Sequence, residues 1–303
     1  MSTEREVNEV LKAVESRLST TWSPLPDKPE ETLELTARAL WFAAAGDPRS
    51  VARLRDAELP PLDTAGVDRL WALVDRRASG TPLAHITARQ NFLGLEMIAS
   101  PEALIPRRET ELLARTALER MRTFVGARDA AMAIDVCTGS GNVALAIASH
   151  DPRAEVFASD ISEQALKLAE RNAAHLGLTG RVHFAASDLF AGMESPALHR
   201  MADVVTCNPP YITSQKLGQM PSEIVGYEPR LAFDGGPFAL KVVTRLLTDA
   251  PRFLRPGASL CFEIGAGIGE SLAERIRKNP AYDDVTPVTD EAGVVRVITA
   301  TAV

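Results

Sequence analysis

Apolar residues recur at helical spacing through the first 80 residues. Val7, Val10, Leu11, Val14 and Leu18 fall at i, i+3, i+4, i+7 and i+11, and Val67, Leu70, Trp71 and Val74 repeat the pattern, so each set lines one face of a helix. Leu33, Ala37, Leu40 and Trp41 predict another helix between them. Pro24, Pro26 and Pro29 punctuate the first connection and Pro60 and Pro61 a later one, which predicts a small all-α N-terminal domain over residues 1–80. Short apolar stretches around turn residues follow. Phe92-Leu93-Gly94-Leu95 reads as part of a hairpin or extended segment, so residues 81–106 are expected to form a hairpin-containing connector.

Over residues 107–303 the two periods alternate. Helical patterns span residues 111–121, 143–149, 162–176 and 238–254, and strand patterns span 131–136, 155–158, 182–185, 203–206 and 259–264. This alternation predicts an α/β domain built on an open, largely parallel sheet with helices on both faces. A final pair of strands, 284–288 and 294–299, is expected to close one edge as a hairpin.

Composition changes this picture little but excludes several classes. The 303 residues exceed one typical domain, and 46% hydrophobic with 24% charged residues is ordinary globular usage, which excludes intrinsic disorder and fibrous repeats. A net charge of -7 has the wrong sign for gripping a phosphate backbone over a broad face, so no direct nucleic-acid partner is expected. Cys137, Cys207 and Cys261 are never spaced CxxC, and the five histidines form neither HxH nor HExxH, so neither a disulfide framework nor a metal centre is indicated. The opening residues Met1 to Glu6 lack an apolar signal core, and no run approaches the ~18 apolar residues of a membrane span. A soluble cytoplasmic protein is expected.

Four places along the chain could carry chemistry. Asp135-Val136-Cys137-Thr138-Gly139-Ser140-Gly141 lies directly after a strand and before a helix, where glycines let the backbone approach a ligand and expose the first helical amides. The same glycines would also serve a plain tight turn, and the spacing is not GxGxxG. Asp160 ends the next strand, 19 residues after Gly141, where an acid accepts from ribose hydroxyls in nucleotide-binding βαβ units; Asp160 or Ser162 would equally cap the following helix. Asp188 follows the third strand at the height of an adenine, or is an ordinary loop acid. After strand 203–206 comes Asn208-Pro209-Pro210-Tyr211. Two prolines stiffen this loop, Asn208 and the Pro209 carbonyl offer acceptors, and Tyr211 offers a flat face. That set suits a planar NH2 group held with its nitrogen facing an electrophile.

The Thr138-Gly139-Ser140-Gly141 turn, Asp160 and the Asn208 to Tyr211 loop together resemble a Rossmann-like S-adenosylmethionine-dependent N-methyltransferase. Thr81-Pro82-Leu83-Ala84-His85-Ile86, Leu104-Ile105-Pro106-Arg107-Arg108-Glu109-Thr110-Glu111 and the stretch from Tyr227-Glu228-Pro229-Arg230 to Gly236 narrow this further. They are similar to the protein-(glutamine-N5) methyltransferases that modify bacterial peptide chain release factors. The resemblance runs from about residue 75 to the C-terminus and more loosely through the helical domain. It implies S-adenosyl-L-methionine as cofactor, with Thr138, Gly139, Ser140 and Gly141 at its methionine end, Asp160 on the ribose, and Asp188 and Leu189 at the adenine. It also implies Arg107, Thr110 and Glu111 near the pocket, Asn208, Pro209, Pro210 and Tyr211 on the substrate amide, and Glu228 in a substrate-facing segment. The partner implied is a release factor, recognised with help from the N-terminal domain.

The sequence departs from that pattern in places. Cys137 stands where glycine is usual, Arg108 replaces a proline, His85 replaces tyrosine or glutamine, and no acid immediately precedes Arg296. A small-molecule N-methyltransferase on the same scaffold is therefore the alternative. A cofactor-binding regulatory protein without catalysis is a further one, against which the intact Asn208 to Tyr211 loop argues.

Overall fold

The computed structural model describes residues 4–21, 28–212, 226–235 and 240–303. The chain divides into two compact units: Met1–Pro101 with Ile105–Arg107 and Pro221–Glu228, and Glu102–Leu104 with Arg108–Met220 and Pro229–Val303.

In the first unit the helical stripes become α1 (Glu4–Ser19), α2 (Leu33–Ala44) and α3 (Thr64–Ala78). Their apolar faces meet in one core, where Val14, Leu18, Leu40, Trp41, Leu70 and Val74 are buried. Burying side chains of this size at ~1.5–3 kcal/mol each is what holds three short helices together. Thr32 caps α2 by accepting from the Leu35 amide, and Asp63 caps α3 by accepting from the Gly66 amide at 2.6 Å. A short α4 (Leu83–Thr87) leads into the hairpin β1 (Arg89–Phe92) and β2 (Leu95–Ile98). Its two-residue turn places Leu93 at φ 49° and Gly94 at φ 81°, the doubly positive geometry that matches strand twist.

The second unit carries α5 (Thr110–Val125), β3 (Ala131–Val136), α6 (Asn142–His150), β4 (Ala154–Asp160), α7 (Glu163–His175) and β5 (Val182–Ala186). These are followed by β6 (Ala202–Cys207), α8 (Lys241–Asp249), β7 (Leu254–Glu263), α9 (Gly269–Ile276), β8 (Tyr282–Thr289) and β9 (Val295–Ala302). The sheet order is β5-β4-β3-β6-β7-β9-β8; β5 through β7 are parallel, β9 is antiparallel to β7, and β8, antiparallel to β9, runs in the direction of the rest. Flanking helices make the sheet the Rossmann-like architecture expected. Chain order runs outward from β3 to β5 on one side and from β6 to β7 on the other, which makes the carboxyl ends of β3 and β6 the switch point at which open α/β sheets hold ligands.

Two expectations need correction. The pattern over 238–254 is not one helix: α8 ends at Asp249, a 3-10 turn covers Ala250–Arg252, and β7 already begins at Leu254. Pro251 lacks the amide that would continue the helical ladder. Residues 238 and 239 lie outside the described residues. The helix Gly269–Ile276 also has no counterpart in the predicted elements, although Leu272, Ala273 and Ile276 bury one face of it. Among the described residues no helix is long and apolar enough to cross a membrane.

Gly269 starts α9 under β9. A Cβ there would sit 2.5 Å from Val295 Cγ1 and 2.6 Å from Val295 Cβ, a branched side chain with little freedom to withdraw. Gly269→Ala is therefore expected to cost about 1–3 kcal/mol by overpacking. Urea unfolding of the two proteins checks this, and equal midpoints would show that the helix can shift freely.

Candidate active site

The loop after β3 is built around Asp135, a side chain 1% exposed. Its Oδ2 accepts from the Thr138 hydroxyl at 2.6 Å and its Oδ1 from the Thr206 hydroxyl of β6 at 2.7 Å. Burial pushes this carboxyl up to about 6 against those hydrogen bonds. The backbone is contorted: Cys137, Gly139 and Gly141 all have positive φ, at 59°, 56° and 82°. This explains why glycine is usual at position 137. A cysteine in left-handed geometry carries roughly 1–2 kcal/mol of steric cost. At Gly141 an added Cβ would meet Ala169 and Leu145 at 3.1 Å, so this glycine lets α6 approach α7, whereas nothing lies within 4 Å of such an atom at Gly139.

Asp160 at the end of β4 closes the loop from the side. Oδ2 accepts from the Gly139 amide at 2.8 Å and Oδ1 from the Ser162 amide at 2.9 Å. Ser162 caps α7 through the Ala165 amide, so Asp160 and Ser162 share the work at that helix start. Burial raises the Asp160 pKa, against hydrogen bonds from the Ser162, Gly139 and Ile161 amides. Beside it Ile161 is 57% exposed, an apolar face at a polar edge.

These residues fit S-adenosylmethionine. Gly139 presents an open flank, Asp160 presents acceptors for a diol, Ile161 presents a surface for an aromatic base, and the buried Ser140 hydroxyl has no hydrogen-bond partner among the described residues. Leu189 is buried, and its carbonyl is fixed by the Ser159 and Ser187 hydroxyls at 2.8 and 2.7 Å. Asp188 instead forms an exposed ion pair with Arg245 at 2.8 Å. Among the described residues no group of three or more His, Cys, Asp or Glu could hold a metal ion.

Asn208 follows β6. Its Nδ2 donates to the Thr110 hydroxyl at 3.1 Å, an orientation of the carboxamide that leaves Oδ1 as an acceptor. Thr110 is 1% exposed at the start of α5. Tyr211 donates its hydroxyl to Glu263 Oε1 at 3.0 Å, and burial together with Glu263 pushes the phenol well above its ordinary range, so it stays neutral. Glu263 is 1% exposed, and burial raises it to about 7 despite hydrogen-bonding influence from Thr110 and Tyr211. The pairing of Cys207 with Phe262 places Asn208 and Glu263 level at adjoining strand ends.

Glu263 and Ile161 were absent from the sequence-derived set. A single acid ending the apolar strand run Leu260-Cys261-Phe262 is the same signal that marks Asp135 and Asp160, so Glu263 had a readable signature. Ile161 had none beyond its neighbour. Arg107 and Glu228 lie in the first unit and engage one another: Glu228 Oε1 accepts from Arg107 Nη2 at 2.5 Å and Oε2 from the Ile105 amide at 2.8 Å, with both side chains buried. Glu111 pairs with Arg115 at 2.6 Å.

The departures also have structural counterparts. Asp290 folds back to accept from Arg296 at 3.0 Å, supplying from six residues away the acid missing beside it. Arg108 reaches only Glu291 at 4.0 Å in an exposed contact worth little. Burial, with Lys28 and Arg107 adding to it, lowers His85 to about 4.

Comparison with known proteins finds relatives over most of the chain. The family model described as methyltransferase small domain matches residues 110–269. A release factor glutamine methyltransferase of Moorella thermoacetica is 39% identical over 253 residues, covering 84% of this chain and 85% of the relative. One of Bradyrhizobium diazoefficiens is 32% identical over 289 residues, 95% of each chain. Among solved structures, the N-terminal domain of human METTL16 in complex with SAH superposes with a TM-score of 0.51 at 16% identity, over 75% of this chain and 83% of that one, a likeness of fold.

The two raised carboxyls make stability pH-dependent. Glu263, at about 7 against an ordinary 4.5, favours its neutral form in the fold. Its contribution is complete below about pH 4.5 and is lost as pH rises through 7; Asp135 behaves alike through 6. Glu263→Gln cannot ionise and should reduce the fall in unfolding free energy between pH 4.5 and 8 by at most about 3 kcal/mol, at ~1.36 kcal/mol per pH unit. Denaturant titrations at both pH values test this. An unchanged slope would place the ionised carboxylate in contact with water.

Proposed function

Because the chain belongs to the release factor glutamine methyltransferase family and is an S-adenosylmethionine-dependent N-methyltransferase, we propose that its acceptor is the side-chain amide of the glutamine in the Gly-Gly-Gln loop of a peptide chain release factor, methylated in the cytoplasm. One observation carries the reading. With its NH2 committed to Thr110, Asn208 has Oδ1 to offer as an acceptor, beside the Pro209 carbonyl. A primary amide has two N–H donors, and two acceptors on a proline-stiffened loop match them.

S-adenosylmethionine, when bound, supplies a methyl group already activated by its sulfonium. The protein supplies position. An amide nitrogen is a weak nucleophile because its lone pair is delocalised into the carbonyl. Hydrogen bonds from its NH2 to Asn208 Oδ1 and the Pro209 carbonyl aim the nitrogen and raise its electron density, while the Tyr211 ring packs on the amide face. The N–CH3 bond would form as the sulfonium's S–CH3 bond breaks, the electron pair staying on a neutral thioether, and the nitrogen, cationic after transfer, would release its proton to water. Asp160 would hold the ribose, Ile161 and Leu189 the adenine, and Thr138 to Gly141 the methionine end. To the helical unit, which has its own core, we assign recognition of the folded factor.

Peptide mapping of the intact factor after incubation should show one added methyl on that glutamine. A small amide turned over efficiently while the factor stays unmodified would replace this reading with a metabolite substrate. Asn208→Ala should lower single-turnover methyl transfer by about a hundredfold, the scale of lost orientation, with cofactor affinity nearly unchanged. Asp160→Ala should instead weaken cofactor binding by about 1.5–3 kcal/mol, the loss of a charge-assisted hydrogen bond. Calorimetric titration of both variants separates the two roles. Equal cofactor affinity in a folded Asp160→Ala protein would remove that residue from the site.

A further inference from the structure

The segment Glu263-Ile264-Gly265 at the end of β7 touches the acceptor-side loop twice. Glu263 Oε1 accepts the Tyr211 hydroxyl at 3.0 Å, and at Gly265 an added Cβ would stand 3.1 Å from Tyr211 Cδ2 and 3.7 Å from Cε2, so the glycine makes room for the ring. Thr110, whose hydroxyl receives Asn208 Nδ2, also acts on Glu263, its hydrogen bonding lowering the carboxyl's pKa. The contacts form a chain from Asn208 through Thr110 and Glu263 to Tyr211.

Resting on the acceptor-site reading above, we propose that Glu263 and Gly265 are positioning residues for methyl transfer, a seat that fixes the Tyr211 ring and, through Thr110, the carboxamide of Asn208. The observations favour such a role over simple packing. Glu263 is an acid in an otherwise apolar strand end, 1% exposed, and its Oε2 has no hydrogen-bond partner among the described residues. A carboxylate is expensive to bury, and an apolar residue would fill the same place without that cost. What an apolar residue cannot do is orient a hydroxyl. The raised pKa of Glu263 is the consequence of retaining an acid where Tyr211 needs an acceptor. Glu109 at the start of α5 raises it further and Arg296 of β9 lowers it. Gly265 has the complementary task of letting the ring lie flat against the backbone.

The test is single-turnover methylation of the intact release factor, with S-adenosylmethionine affinity measured beside it, for Glu263→Ala, Glu263→Gln, Gly265→Ala, Tyr211→Phe and Asn208→Ala. Glu263→Ala is expected to slow transfer tenfold or more while the cofactor dissociation constant moves less than twofold. Glu263→Gln keeps an acceptor for Tyr211 and should recover to within about threefold of wild type, a rescue that loss of packing alone would not give. Adding Tyr211→Phe to Glu263→Ala should cost less than the product of the two single effects, because the second loses what the first has already released. Gly265→Ala should slow transfer without touching any polar group, and it carries the test if Glu263→Ala does not fold. Transfer within twofold of wild type in Glu263→Ala or Gly265→Ala, with Asn208→Ala severely impaired, would overturn the proposal and leave the acceptor-site reading intact. Wild-type transfer in Asn208→Ala would overturn that reading itself.

Discussion

At the carboxyl ends of β3, β4 and β7 three carboxyl groups leave water, and each takes hydrogen-bond donors from the loops and strand ends around it. Asp135 gathers the hydroxyls of Thr138 and Thr206, Asp160 the amides of Gly139 and Ser162, and Glu263 the hydroxyl of Tyr211. A buried acid without donors costs several kcal/mol, so these contacts are obligatory and the loops inherit their shape from them. The raised pKa of all three acids shows that the donors offset burial only in part.

This constraint explains why the site is assembled where it is. Parallel strands present their carboxyl ends together, and the register between β3, β6 and β7 sets Cys137, Asn208 and Glu263 at neighbouring heights. The Gly139 side then has open space, and the Asn208 side has an acceptor held by Thr110. The two halves share a wall, since Thr206, one residue before the end of β6, is a ligand of Asp135. On the proposed reading, methyl transfer needs little beyond alignment of a nitrogen with an activated carbon, a task for which a wall of buried hydrogen bonds is more rigid than exposed side chains would be.

Local strain is accepted in the same region. Cys137 is held in left-handed geometry at the mouth of the loop, and Leu189 likewise, with φ 55° and its carbonyl clasped by two serines. Strained positions persist where surrounding contacts over-determine them. The first unit solves a different problem with its buried Arg107 and Glu228 pair, which ties the amide of Ile105 to a residue more than a hundred positions later.

The sequence by itself determined most of the elements and the segments from which a site can be proposed. Helical and strand periods are local properties, so α1 to α3, β3, α6, β4, α7 and the closing hairpin were readable, as were the Thr138 to Gly141 turn, Asp160 and the Asn208 to Tyr211 loop. Where local signals compete the reading slipped: Pro251 split a helix whose apolar period continues past it, and the short α9 carries too few turns to stand out. Only the tertiary structure decided which side chains satisfy one another. That Asn208 is oriented by Thr110, 98 residues earlier, that Tyr211 is seated by Glu263, and that Arg107 and Glu228 engage each other depend on strand order and register. Those are set by burying the whole sheet at once, and no window of sequence contains them.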